Sequence, residues 1–145
     1  LDSIFYVAYI FAIMKELKHE HEIRVRYKET DQMGVVYSGN YFTYFEVGRT
    51  EQLRSLGYTY KDMEEKGFML PVVETYCRHR KPAMYDDLVI IETISTLRKS
   101  FIRFEYKIKK KGDDNVLSEG YTVHVFTNDN NKVISPPNYI KELYN

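Results

Sequence analysis

Tyr27-Lys28-Glu29-Thr30-Asp31-Gln32-Met33-Gly34-Val35-Val36-Tyr37-Ser38-Gly39-Asn40-Tyr41 decides how the rest of this sequence is read. On its N-terminal side Ile23, Val25 and Tyr27 alternate with Glu22, Arg24 and Arg26, the period of a strand with one buried face. The chain then turns through Thr30 to Gly34 and reaches Ser38-Gly39-Asn40, helix-capping residue types ahead of an aromatic-rich run. A carboxylate, a glycine turn and a helix N-terminus thus lie within a few residues of one another. That grouping suits carbonyl chemistry. Asp31 can act as base or nucleophile, while unpaired amides and the positive end of the helix stabilise an oxyanion.

Downstream, Tyr41 to Leu56 carries Tyr41, Phe42, Tyr44, Phe45, Val47, Leu53 and Leu56. It is too apolar around its circumference for a surface helix, so it is expected to be buried and wrapped by a sheet. Gly57 is its C-cap candidate, and Lys61 to Lys66 reads as a short polar helix ended by Gly67. Strands are expected over Leu70–Arg80, Asp87–Leu97, Ser100–Lys109 and Val116–Thr127. In the third of these, Ile102, Phe104, Tyr106 and Ile108 share one side, with Arg103, Glu105 and Lys107 on the other. Lys110 to Asn115 is a hairpin turn, and Pro136-Pro137 precedes a short helix over Asn138–Tyr144. One long helix followed by consecutive long strands predicts an α+β fold, a curled antiparallel sheet around a helix.

With 145 residues the chain suits a single domain, taken as residues 20–145. Residues 1–19 form an N-terminal extension containing the apolar run Leu1 to Met14. That run is shorter than the roughly 20 residues of a membrane span and lacks the basic start and cleavage site of a secretory signal. Met14 followed by Lys-Glu-Leu-Lys resembles a start, so the run before it reads as an alternative start or an added remnant. Otherwise it is a short helix packed on the domain or on a neighbouring subunit, with no targeting role. A formal net charge of zero gives no electrostatic case for nucleic acid. The lone Cys77 cannot form an internal disulfide; it reads as a small packing residue and fits a reducing, cytoplasmic setting. His19 and His21 fall in an N-terminal polar stretch, His79 in an Arg-rich strand and His124 between valines. None has metal-ligand spacing, so zinc is not expected. No Gly-x-Ser-x-Gly occurs and no His neighbours Ser38 or Ser100 in sequence, which argues against a serine hydrolase.

The segment Glu29-Thr30-Asp31, Gly34-Val35-Val36-Tyr37, Asn40-Tyr41, Glu46 and Arg49-Thr50-Glu51 resembles hot-dog fold acyl-CoA thioesterases of the 4-hydroxybenzoyl-CoA type, particularly their bacterial short-chain acyl-CoA branch. The likeness continues through Leu70-Pro71-Val72-Val73, the Arg80-Lys81-Pro82-Ala83 corner, Tyr85-Asp86-Asp87 and Leu97-Arg98-Lys99-Ser100-Phe101. It covers about Glu20 to the last residue. Two positions depart from the pattern. The first acidic residue, often Asp, is Glu29. Many members of the acyl-CoA branch carry His after Val-Val-Tyr where this chain has Ser38, whose acid–base range is different. The 4-hydroxybenzoyl-CoA type uses the backbone N–H at that position, which Ser38 supplies.

The resemblance implies hydrolysis of an acyl- or aroyl-CoA, with Asp31 as base or nucleophile and the Ser38 N–H polarising the carbonyl. Glu46 is a candidate second acid, or a structural ion-pair partner of Arg49 or Arg24. Tyr37 is a candidate lining residue of the acyl pocket, and Asn40 and Val73 are further candidate substrate contacts. Arg98, Lys99 and Ser100 are candidates for holding coenzyme A phosphates by charge-assisted bonds. Asp31 also has a plainer reading, a turn aspartate bound to local N–H groups. No cofactor is implied beyond coenzyme A as part of the substrate. The implied assembly is a homodimer, or a dimer of dimers, with a continuous sheet and the active site at the subunit boundary. There the partner's Val72-Val73 or Arg98-Lys99 would approach Asp31. Alternatives are an acyl-carrier-protein thioesterase, a hot-dog hydratase or dehydratase (these use a His with a carboxylate), and a non-catalytic acyl-CoA-binding module.

Overall fold

The computed structural model describes residues 15–145. The readings made for Leu1 to Met14 lie outside the described residues. From Glu16 on, the chain runs β1 (Glu16–Arg24), a 3-10 turn (Tyr27–Glu29), α1 (Asn40–Ser55), α2 (Tyr60–Glu65), β2 (Val72–His79), β3 (Leu88–Leu97), β4 (Phe101–Lys110), β5 (Val116–Thr127), β6 (Val133–Ile134) and α3 (Asn138–Leu143). The strands form one antiparallel sheet in the order β1-β3-β4-β5-β2, with β6 pairing β5. It is the expected α+β arrangement, an unclosed sheet curled around α1.

The alternation read in β4 places Ile102, Phe104, Tyr106 and Ile108 in the core, and β3 adds Val89 and Ile91 to the same layer. Three expectations need correction. β1 begins at Glu16 and pairs with β3 from there, so His19 and His21 belong to the sheet and not to a loose polar stretch. The strand also ends at Arg24. Val25 is buried, but Tyr27 has left the alternation for the 3-10 turn and is 77% exposed. Helix α1 is buried on one side and not all round. Tyr41, Tyr44, Phe45, Gly48, Gln52 and Leu53 face the sheet, while Phe42 and Glu46 are exposed. The count of apolar residues concealed that split, because the outward face carries an aromatic of its own.

Contact between α1 and the sheet is close at one point. A Cβ on Gly48 would stand 2.6 Å from Thr93 Oγ1 and 2.7 Å from Ile91 Cγ2, so β3 occupies the space a side chain would need. One turn earlier, Phe45 stacks on Tyr106 with centroids 4.3 Å apart and planes 5° apart, a contact worth about 1 kcal/mol beyond its burial. Gly120 completes the fit, since a Cβ there would overlap the Tyr76 carbonyl of β2 and the Phe45 ring. Replacing Gly48 by Val should therefore lift the helix from β3 and destabilise the fold by about 1–3 kcal/mol, despite the gain in helix propensity over Gly. A denaturant midpoint unchanged from wild type would refute the close seating of α1.

His124 is the one fully buried histidine among the described residues. Its Nδ1 is 3.1 Å from the Leu70 carbonyl, which can only accept, so Nδ1 carries the hydrogen. Nε2 must then accept from Thr122 Oγ1 at 2.9 Å, and Thr122 in turn accepts from Tyr106 at 2.6 Å. Burial, with the Arg49 charge as a second cause, pushes the imidazole down to about 4. The unfolded ring takes its proton near 6.5 while the folded one resists until about 4. Its contribution is therefore complete above the unfolded value and is lost as pH falls through that window, on the order of 3 kcal/mol in all. Melting temperature should drop steeply from pH 6.5 to 4 in wild type and less steeply in His124→Gln. Equal slopes for the two proteins would remove His124 as the cause.

Candidate active site

The segment between β1 and α1 is held by a carboxylate beneath it. Glu29 is 7% exposed, and its Oε1 accepts the Arg26 N–H at 2.8 Å and the Tyr44 hydroxyl at 3.1 Å. Its Oε2 takes the Arg26 guanidinium at 3.0 and 3.2 Å. Burial alone would raise this carboxyl, but the Arg26 and Tyr44 hydrogen bonds hold it below its ordinary value. The Glu29 carbonyl also accepts Tyr37 N–H at 2.9 Å and Asn40 Nδ2 at 2.8 Å. One residue thus ties the end of β1, the turn and the start of α1 together.

On that base the turn presents Asp31. Its N–H donates to the Val35 carbonyl at 2.9 Å, its carbonyl accepts Gly34 N–H at 3.0 Å, and its Oδ1 accepts Met33 N–H at 2.8 Å. Gly34 closes the turn at φ 79°, a conformation suited to glycine. The plainer reading of Asp31 as a turn residue is therefore correct for one carboxylate oxygen. Among the described residues nothing hydrogen-bonds Oδ2, and the side chain lines a cavity of about 430 Å³. Val36 N–H donates to the Ala83 carbonyl at 2.8 Å and Val35 bridges Met84, which fastens the other wall of the cavity to the corner before β3.

Ser38 lines the same cavity, at the entrance to α1. The Asn40 and Tyr41 amides are taken by the Tyr37 and Ser38 carbonyls, whereas the Ser38 and Gly39 amides have no acceptor among the described residues. They stand just ahead of the 16-residue α1, where its dipole is positive. Tyr37 folds its ring over Gly39, so close that a Cβ on Gly39 would meet its Cε1 at 2.8 Å. The ring is 58% exposed and lines the cavity beside Ser38.

The fold brings Asp31, Ser38 and Tyr37 together, and leaves the other candidates elsewhere in the single chain. Asn40 spends its amide on the Glu29 carbonyl, a positioning contact. Glu46 is exposed on α1, about 9 Å along the axis from Asn40. The expected pairing with Arg24 is absent, because Arg24 binds Asp86 at 3.3 Å. Val73 is exposed on β2, roughly 20 Å along the strand from the cavity-lining His79. Arg98 and Lys99 follow β3, whose start adjoins the Asp31 turn, so the strand separates them from the cavity by about 30 Å. There they line a second cleft of about 430 Å³ with Lys15 and Lys141, two cations that sequence order alone does not connect. Ser100 is exposed in the β3–β4 turn.

One residue was missed. His79, at the end of β2, lines the Asp31 cavity, although 48 positions separate the two residues in sequence (79 − 31). No motif connects them; only the pairing of β2 with β5 and the seating of α1 do. The hydroxyl at its Nδ1 belongs to Ser118, which is buried and outside the cavity lining, so no serine nucleophile results. Among the described residues no group of three His, Cys, Asp or Glu side chains is arranged to hold a metal ion, and no helix is long and apolar enough to cross a membrane.

Residues 25–143 match the thioesterase-like superfamily. The chain is 49% identical over 72 residues to the YneP protein of Bacillus subtilis (strain 168), which is 50% of this chain and 52% of that one. It is 38% identical over 93 residues to the acyl-CoA thioesterase YbgC of Haemophilus influenzae, covering 61% of this chain and 66% of that one. The matched region thus spans between half and two thirds of these relatives. Among solved structures, the DHNA-CoA thioesterase of Staphylococcus aureus superposes with a TM-score of 0.79 at 32% identity, over 87% of this chain and 85% of that one.

Proposed function

From its membership of the thioesterase-like superfamily, we propose that this chain is an acyl-CoA thioesterase, hydrolysing an acyl- or aroyl-CoA to the free acid and coenzyme A. The observation that carries the reading is the shared cavity: a carboxylate with one uncommitted oxygen stands with the open amides of a helix N-terminus. The thioester carbonyl oxygen accepts the Ser38 N–H, and negative charge developing on it is met by a donor that needs no rearrangement. Met33 N–H fixes the Asp31 carboxylate so that Oδ2 faces the carbonyl carbon or a water beside it. Tyr37 contributes an apolar wall for the acyl group. The cytoplasmic setting read from the single cysteine belongs to this proposal.

Asp31→Asn tests it cleanly, since an amide oxygen can still accept the Met33 N–H and keep the turn. Its kcat should fall at least ~100-fold with thiol release as the readout, while binding of acyl-CoA changes little. Ser38→Ala should be mild, because the donor is main chain. Wild-type rates in Asp31→Asn, or equal damage from Ser38→Ala, would reassign the chemistry.

Coenzyme A is long, and the cationic cleft at Arg98 and Lys99 lies far from Asp31 in one chain. The proposal therefore includes a homodimer, extended to a dimer of dimers, in which a neighbouring chain brings that cleft to the Asp31 cavity. Arg98→Ala with Lys99→Ala should raise KM for acyl-CoA well above any rise for a short pantetheine thioester, an effect that weakens with salt. Mixing this variant with Asp31→Asn should restore activity through hybrid assemblies. An active monomer by light scattering would sink the shared site.

A further inference from the structure

The imidazole of His79 stands in the Asp31 cavity, and the chemistry above leaves it without a task. Its ring lies against Tyr41 of α1, with centroids 4.8 Å apart. Its Nδ1 is 3.3 Å from the buried Ser118 hydroxyl of β5 and 3.9 Å from the Cys77 thiol of its own strand. The Tyr41 hydroxyl accepts the Ala83 N–H at 3.4 Å and also hydrogen-bonds the Ser118 hydroxyl. Nδ1 is thus engaged on the protein side, whereas Nε2 has no partner among the described residues. A ring held at one nitrogen and open at the other is the arrangement by which proteins aim an imidazole.

We propose that His79 is a second catalytic residue, a general acid whose Nε2–H protonates the departing coenzyme A sulfur. This rests on the acyl-CoA hydrolase reading. In the step, water gives a proton to Asp31 as its oxygen bonds to the carbonyl carbon. The tetrahedral oxyanion at the Ser38 N–H re-forms the carbonyl, and the C–S electron pair leaves with sulfur. Sulfur takes the His79 proton and becomes the thiol, and the imidazole regains a proton from the Asp31 carboxylic acid. The sum is thioester plus water to acid plus thiol.

Asp31 supplies the carboxylate of the cavity, against which the Arg80 and Lys81 cations also lie, and Arg80 is paired with Glu119. The other titratable neighbours stay neutral: burial pushes the Tyr41 phenol up and the Cys77 thiol up to about 11.

The experiment compares acyl-CoA with an aryl thioester of the same acyl group, because an aryl thiolate departs without needing a proton. With the full chain, His79→Gln should lose about 100-fold in kcat on acyl-CoA and less than about threefold on the aryl thioester. It should also lose the fall in kcat at high pH that marks a required imidazolium. Asp31→Asn should lose turnover of both substrates, which separates failure of the hydrolase reading from failure of this one. Ser118→Ala frees the ring and should show a smaller loss with the same preference between substrates. If His79→Gln does not fold in a thermal melt, Ser118→Ala decides the matter. Equal losses on the two thioesters, or acyl-CoA activity close to wild type in His79→Gln, would overturn the assignment. Absence of wild-type turnover would remove the reading beneath it.

Discussion

The buried Glu29 carboxylate is the contact on which the site depends. A charge shielded from water by the chain around it is tolerated only when it is paired and hydrogen-bonded, and Arg26 and Tyr44 supply both. Because Arg26 caps the 3-10 turn just after β1 and Tyr44 sits in the second turn of α1, the same carboxylate fixes the helix relative to the end of the strand. Its carbonyl reinforces this by holding Tyr37 and Asn40. Removing the acid would strand a buried phenol and loosen the start of α1. Ser38, at the cavity lining, keeps its place only while that start is fixed.

Two carboxylates two residues apart thus have opposite fates, and hydrogen-bond accounting explains why. Glu29 commits both oxygens to donors beneath the chain, and its longer side chain lets it reach Tyr44. Asp31 lies in the turn itself. It spends one oxygen on the turn that positions it and leaves the other without a hydrogen bond among the described residues, at the cavity lining. Aspartate often stands at the family's first acidic position, and Glu29 there does not disturb this division, since that position carries structure while the next acid faces the cavity.

Local signals made most of the fold legible. Alternation in β4 named the four residues that enter the core, and the capping residues named the start of α1 to within a residue. Asp31, Tyr37 and Ser38 were readable because they sit in one continuous stretch, where a turn and a helix start suffice to bring them together. The bond from Asn40 to the Glu29 carbonyl was not readable, since it depends on a fold-back that composition does not reveal. His79 and the Lys15–Lys141 flank of the cationic cleft were illegible for a stronger reason. They reach their places through strand pairing over long sequence separations, and no periodicity encodes those.

The remaining constraint lies at the edge of the sheet. β2 pairs with β5 on one side only, and its other edge is open among the described residues. Val72, Val73 and Tyr76 are each more than two fifths exposed, unlike the interior strands beside them. A long strand with apolar side chains and an unpaired edge is a template for another chain, and it lacks a central proline to blunt it. The same strand ends in His79, at the cavity wall. Whatever pairs with β2 would therefore reach the strand end at which His79 meets the Asp31 cavity. A second copy of this chain has the matching edge, because antiparallel pairing of a strand with itself is self-complementary under a two-fold axis. The placement of the candidate site beside an unfinished edge is thus the physical ground on which assembly and catalysis are proposed to be one event.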